Sequence, residues 1–228
     1  MKGAAGFVAL VLLWELGRLA HVLPANSAPA SWQIAGRLGD GELAGAVGET
    51  LLAWAGGLLL AALIGIPLGV LLGLSRWADA ALDTTVDLLR PIPAVALIPV
   101  AVVVIGLGAS MPAVLVGFAT LWPLLISTRF GVRDIDPLLV ETGRVFGANG
   151  WRLAATVTAP AALPAIRTGL RTAASLGLVV AVATELASGS PGLGSYIAQQ
   201  QQAGQLPAAY AGIVVAGLLG YLIHLVVR

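Results

Sequence analysis

Side chains able to do chemistry are scarce in this sequence, and the densest group lies in ETGRVFGANGWRLAATVTAP, from Glu141 to Pro160. One Glu, two Arg, one Asn and three Thr there interrupt a chain whose mean hydropathy is +0.95. A single acid followed by Arg144 and Arg152 suits electrostatic contact with another molecule; it supplies no nucleophile with an adjacent base. Cys 0 excludes thiolate metal sites and cysteine nucleophiles. The only histidines, His21 and His224, stand at opposite ends of the chain. Lys2 is the only lysine, so a phosphate-cradling loop whose lysine must reach the phosphates cannot form, and no GxSxG hydrolase elbow occurs. Two further candidates lie in apolar runs: the pair Glu15 and Arg18, three apart and able to meet on one helical face, and Glu185 in LGLVVAVATELAS. A carboxylate at membrane depth needs a polar cavity or a hydrogen-bonding partner. Glu185 is therefore read either as part of a solute pathway or as a hydrated acid at the outer mouth, near Ser188 and Gly189.

The elements that position these groups must be membrane helices. With 58% hydrophobic and 10% charged residues, 228 residues carry too few charges to cover a soluble globule. The net charge of +1, with basic residues scattered singly, argues against a nucleic-acid partner. Six stretches approach the roughly 20 apolar residues that a crossing needs: 3–23, 48–74, 91–108, 111–128, 168–188 and 207–227. The first is the weakest, because Glu15, Arg18 and His21 interrupt it; Lys2 followed by FVALVLL also has the look of a signal peptide, but we read it as a retained span. A polar connection follows, PANSAPASWQIAGRLGDGE, with a short interfacial helix expected over 32–38.

Six crossings place both termini on one side of the membrane, and the bias of basic residues makes that side the cytoplasm. It then collects Lys2, Arg76, Arg90, Arg129, Arg133, Arg144, Arg152, Arg167, Arg171 and Arg228, leaving Arg18 and Arg37 outside. In the second span Ala61, Gly65, Gly69 and Gly73 recur every four residues, a row that lets another helix approach closely, within the chain or from a second subunit. The third opens with Arg90-Pro91-Ile92-Pro93 and adds Pro99, so its first turns lack amide donors and a break is expected. Broken membrane helices commonly line pathways, which makes Pro93 and Pro99 pathway candidates.

Between Arg129 and Arg171 the chain has about 40 residues, too few for a catalytic domain with its own core. Asp136-Pro137 reads as N-cap and first helical residue of a helix through Glu141 and Phe146 that stops near Asn149-Gly150; a second is expected over 151–158, before Pro160. Gly147 lies at the bend. Leu138, Leu139, Val145, Phe146 and Trp151 must then bury against another protein, or lie on the membrane surface with the arginines near lipid phosphates; pattern alone leaves both open.

This loop resembles the signature of the inner-membrane permease subunits of binding-protein-dependent ABC importers, which runs EAA, three residues, G, nine residues, then IxLP. Here Glu141-Thr142-Gly143 is followed after three residues by Gly147, and after nine more by Val157-Thr158-Ala159-Pro160. Thr142 and Gly143 stand for two alanines, Val157 for Ile and Ala159 for Leu. From about Glu49 onward, GIPLGVLLGLSRW, LLRPIPAVALIPVAVVVIGLG, GVRDIDPLLVETGRVFGANGW, PAALPAIRTGL and GLGSYI are similar to the nitrate, sulfonate and taurine branch. One departure is IGLGAS at 105–110, where the family often has a bulky aromatic before the first glycine.

The resemblance implies an all-α polytopic membrane protein with about six transmembrane helices and the type I ABC importer permease fold. It implies a single permease domain over 1–228 with a cytoplasmic coupling loop at 129–167 that docks on a separate ATPase. The docking residues it points to are Glu141, Thr142, Gly143, Phe146, Gly147 and Ala148; Glu185 matches a Glu common at this place in the family. It further implies no covalent chemistry and no cofactor in this chain, ATP and Mg being bound by the partner. The partners are two ATPase subunits, a second permease copy in a homodimer, an extracytoplasmic solute-binding protein and membrane lipid, in a bacterial inner membrane. The solute would be small, of the sulfonate, taurine or nitrate kind. The rival expectation is an ATP-independent secondary transporter or channel. That would need coupling charges inside the membrane, and beyond Glu185 and the Glu15/Arg18 pair the reading finds none, nor an inverted repeat.

Overall fold

Leu, Ala, Val and Gly dominate the long apolar runs, and such runs can satisfy their backbone in a membrane only by coiling into helices. The computed structural model describes residues 2–20, 22, 24 and 27–227, and every regular element among them is helical. His21 and Arg228, and the side chain of Lys2, lie outside the described residues. The helices are α1 (Lys2–Leu19), α2 (Ser31–Ala35), α3 (Gly41–Leu74), α4 (Arg76–Leu89), α5 (Ile98–Ile105) and α6 (Ser110–Arg133). There follow α7 (Pro137–Val145), α8 (Gly150–Leu153), α9 (Ala159–Ala161), α10 (Leu163–Ser188), α11 (Leu193–Gln202) and α12 (Leu206–Val226).

Among the described residues α3, α6, α10 and α12 are each long and apolar enough to cross a membrane. The third expected span, 91–108, is not a span on its own. Its helical part is a 3₁₀ turn, Ala94–Leu97, running into α5, and it joins α4 at an 80° bend, so that the stretch is long and apolar enough for a crossing only together with α4, as a bent pair. The cause is Pro91, Pro93 and Pro99, which remove donors from the turns that would have continued α4. The twelve helical residues that remain reach only about 18 Å at 1.5 Å each. α3 begins earlier than the apolar pattern, because Asp40 caps it by accepting the Glu42 N–H at 3.1 Å.

In α1, Glu15 and Arg18 do pair, at 3.3 Å. They also serve the connection that follows: Glu15 accepts the Ser31 N–H at 2.7 Å, and Arg18 donates to the Ala28 carbonyl at 3.2 Å and sits 5.6 Å over the Trp32 ring. Charges that seemed out of place in an apolar helix thus close backbone groups of the chain beyond it.

The core forms where α3 packs on α6. A Cβ on Gly57 would stand 2.5 Å from the Ala113 carbonyl, one on Gly69 2.7 Å from the Leu125 carbonyl, and one on Gly73 2.5 Å from the Val132 side chain. The glycine row is therefore used inside the chain, and Gly57 extends it by one turn beyond Ala61. Since the obstacles include backbone, Gly69→Ala should destabilise the bundle by about 1–3 kcal/mol, read as a lowered thermal midpoint in detergent. α10 packs on α6 in the same way, with Gly169 against Ser127 and Gly177 against Thr120, and it reaches α3 through Trp54, whose indole N–H donates to the Ala174 carbonyl at 2.8 Å.

α4 runs antiparallel to α6, tied to it by charge. Asp79 pairs with Arg129 at 2.6 Å and also with Arg133, and one turn on Asp83 pairs with Arg129 at 2.7 Å. Further along, Ala94 packs with Val116. Arg90 therefore lies level with the middle of α6, at the opposite end of α4 from Arg76.

Candidate functional site

The polar island folds as an elbow between α6 and α10. Asp136 caps α7 by accepting the Leu138 N–H at 2.9 Å, with Pro137 at the first helical position, where its missing N–H costs nothing. The helix ends because Gly147 turns left-handed, with φ +84°; its N–H bonds the Arg144 carbonyl at 2.9 Å and the Ala148 N–H bonds that of Gly143 at 3.0 Å. The second arm differs from the single helix expected over 151–158. α8 is one turn long and passes into a π turn, Ala154–Thr158, in which the Ala159 N–H reaches back to the Ala154 carbonyl. Gly143 is where the arms touch: a Cβ there would lie 2.9 Å from both Leu153 and Val157 side chains. That contact is the physical reason for a small residue at this place.

The elbow encloses an open notch of about 430 Å³, lined by Thr142, Gly143, Phe146, Gly147 and Ala148 with Leu139 on its wall. Around it Phe146 is 86% and Trp151 82% exposed, so large apolar groups stand uncovered on an otherwise polar projection. Five of the six expected docking residues thus share one surface. Glu141 does not join them. It lies on the opposite face of α7, lining a separate cavity of about 650 Å³ with Arg76, Arg133 and Arg144, between the elbow and the ends of α3 and α6.

The structure separates the three pathway candidates as well. Pro93 and Pro99 are exposed on the bent segment that follows α4, whereas Glu185 is 0% exposed. Its Oε2 accepts the Thr50 hydroxyl at 2.8 Å and the Gly194 N–H at 3.0 Å, while the Thr50 oxygen in turn accepts the Leu193 N–H at 2.8 Å. Oε1 has no hydrogen-bond partner among the described residues. Glu185 and Thr50 together therefore take up the free amides at the start of α11 and bind it to α10 and α3. The fit depends on glycine: a Cβ on Gly192, at φ +148°, would stand 2.2 Å from the Glu185 carboxyl carbon, and one on Gly194 2.2 Å from the Val182 carbonyl. Sequence reading missed Thr50, which has no local mark, and the use of Gly192 and Gly194, whose GLG spacing was visible. No cluster of three His, Cys, Asp or Glu able to hold a metal occurs among the described residues.

Comparison with known proteins fits this architecture. The chain is 33% identical over 174 residues to the taurine transport system permease protein of Escherichia coli, covering 75% of this chain and 62% of that one. It is 31% identical to the nitrate import permease protein of Leptolyngbya laminosa, covering 98% and 84%. The chain spans about three fifths of the length of the taurine permease and of two further permeases at 35% and 36% identity. An inward-facing structure of the MetNI methionine ABC transporter superposes with a TM-score of 0.73 at 24% identity, covering 81% of this chain and 92% of that one, which establishes the fold. The model of the binding-protein-dependent transport system inner membrane component family matches residues 65–228, and the chain belongs to that family.

Proposed function

We propose that this chain is the membrane permease subunit of an ATP-driven importer for a small anionic or sulfonated solute. It works as one permease domain over 1–228, in a homodimer, with its termini and elbow in the cytoplasm of a bacterial cell. Two ATPase subunits bind ATP and Mg, a binding protein delivers the solute from outside, and this chain makes and breaks no covalent bond. The observation that carries the reading is the elbow: a notch lined by exposed Phe146 and left-handed Gly147, on a segment that also leaves Val145 and Trp151 exposed. The printed names of the relatives, taurine transport and nitrate import, support the solute class.

In this reading the notch residues Thr142, Gly143, Phe146, Gly147 and Ala148 seat the elbow in the ATPase, and Glu141 meets a cation from the other face of α7. The elbow is the covalent link between α6 and α10, the two helices at the centre of the bundle. When ATP closes the ATPase pair, a displacement at α7 is passed to both, and the bundles tilt between inward-open and outward-open states. Pro93 and Pro99 line the path on the broken crossing; Glu185 serves it from behind, by holding α11 in place.

Proteoliposomes decide between this and ATP-independent transport. Taurine or nitrate uptake should require internal ATP and the ATPase that co-purifies with the tagged chain. Uptake at the same rate by the chain alone would overturn the importer reading.

A further inference from the structure

Two charges in the membrane-spanning part are used by none of the contacts above. Asp87 and Arg90 close α4, both exposed, and neither makes an ion pair among the described residues. Their depth follows from the register of α4 against α6. Asp79 pairs with Arg133, Asp83 with Arg129, and Ala94 packs with Val116 and Val180. Between those ties Asp87 and Arg90 fall opposite the central turns of α6, which spans Ser110–Arg133. An exposed acid and guanidinium in the middle of the hydrocarbon layer cannot face lipid, because neither charge can shed its hydration there; they must face water or a polar partner.

The backbone beside them is open too. Pro91 and Pro93 break the helix there, the 80° bend follows, and Thr84 continues the exposed polar side one turn before Asp87. Irregular backbone at membrane depth is tolerated where it borders a water-filled cavity. Arg90 adds a planar donor fork, the group best matched to the oxygens of a sulfonate or nitrate.

We propose that Asp87 and Arg90 form a charged station midway along the solute path, with Arg90 as the residue that receives the oxyanion during passage. Asp87 keeps the station near neutral, so that the anion is held weakly enough to leave. The solute part rests on the importer reading; the station itself does not.

The absence of native cysteine allows a clean test. In the membrane-embedded complex, Thr84→Cys should react with water-soluble anionic and cationic methanethiosulfonates, while Leu63→Cys, on the outer face of α3, should not. Adding Arg90→Gln should lower the anionic-to-cationic rate ratio at Thr84→Cys by roughly four- to fifteen-fold, from the loss of one charge about two helical turns away. Thr84→Cys reacting no faster than Leu63→Cys would overturn the station, and an unchanged rate ratio would overturn the role of Arg90. Arg90→Gln should also cut taurine or nitrate uptake at least tenfold, with Arg90→Lys restoring part of it; equal uptake by all three would remove the oxyanion assignment. ATP-independent uptake alongside positive labelling would refute the importer reading and leave the station standing.

Discussion

Glu185→Leu should abolish uptake and loosen the packing of α11 on α10 and α3, while Glu185→Gln should keep most of both. Leucine nearly matches the volume but accepts no hydrogen bond, so the Gly194 N–H is left buried and unpaired, at a cost of about 1–3 kcal/mol. Thr50 can recover by turning to a carbonyl of its own helix, as Thr120 and Thr128 do with Val116 and Leu124. The start of α11 has no such substitute, because Gly192 and Gly194 hold it close against the carboxyl that the Gly194 N–H bonds. Glutamine retains an oxygen for Gly194 and should seat α11 nearly as well. Hydrogen exchange over 193–202 and thermal unfolding in detergent give the readout. Protection of α11 in Glu185→Leu equal to that of the parent would show that the carboxylate does not hold it.

The second large effect is expected at Gly147, in function and not in folding. A Cβ there meets nothing within 4 Å in the free chain, so Gly147→Trp has room to leave the backbone and its main folding cost is the left-handed strain, about 1–2 kcal/mol. The same bulk stands on the rim of the notch, where an ATPase surface would have to enter. Gly147→Trp should therefore leave a folded, membrane-inserted chain whose uptake falls at least tenfold and whose assembled ATPase no longer responds to loaded binding protein. Gly147→Ala imposes the strain without the bulk and should retain most uptake. Glu141→Lys, which places a fourth cation beside Arg76, Arg133 and Arg144, should also uncouple hydrolysis from transport. Full uptake in both Gly147→Trp and Glu141→Lys would remove the docking assignment.

How far the site was legible can be judged residue by residue. Asp136-Pro137, Gly147 and Asn149-Gly150 were readable as the ends and bend of the elbow because a cap, a fixed φ or a left-handed turn is a property of one or two residues. Which face of α7 each side chain takes was not readable from the signature, whose Glu141 and Gly147 are set out in a line while the helix turns them to opposite sides. The partner of Glu185 was out of reach for another reason: Thr50 lies 135 residues away, and a single threonine in an apolar run carries no sign of what it will meet.

The amino-acid sequence alone determined that this is a helical membrane protein, that its single lysine forms no GxxxxGK[ST] loop, and that one polar, helix-broken loop lies between late spans. Those facts depend on hydropathy, on residue types absent altogether, and on the backbone limits of Pro and Gly, all of which act locally. Only the tertiary structure decided that the glycine row of α3 is filled by α6, that Glu185 is sealed by Thr50 and α11, and that Arg90 stands level with the middle of α6. Each is a matter of register between helices far apart in the chain, set by the close fit of their side chains, and no local pattern encodes it.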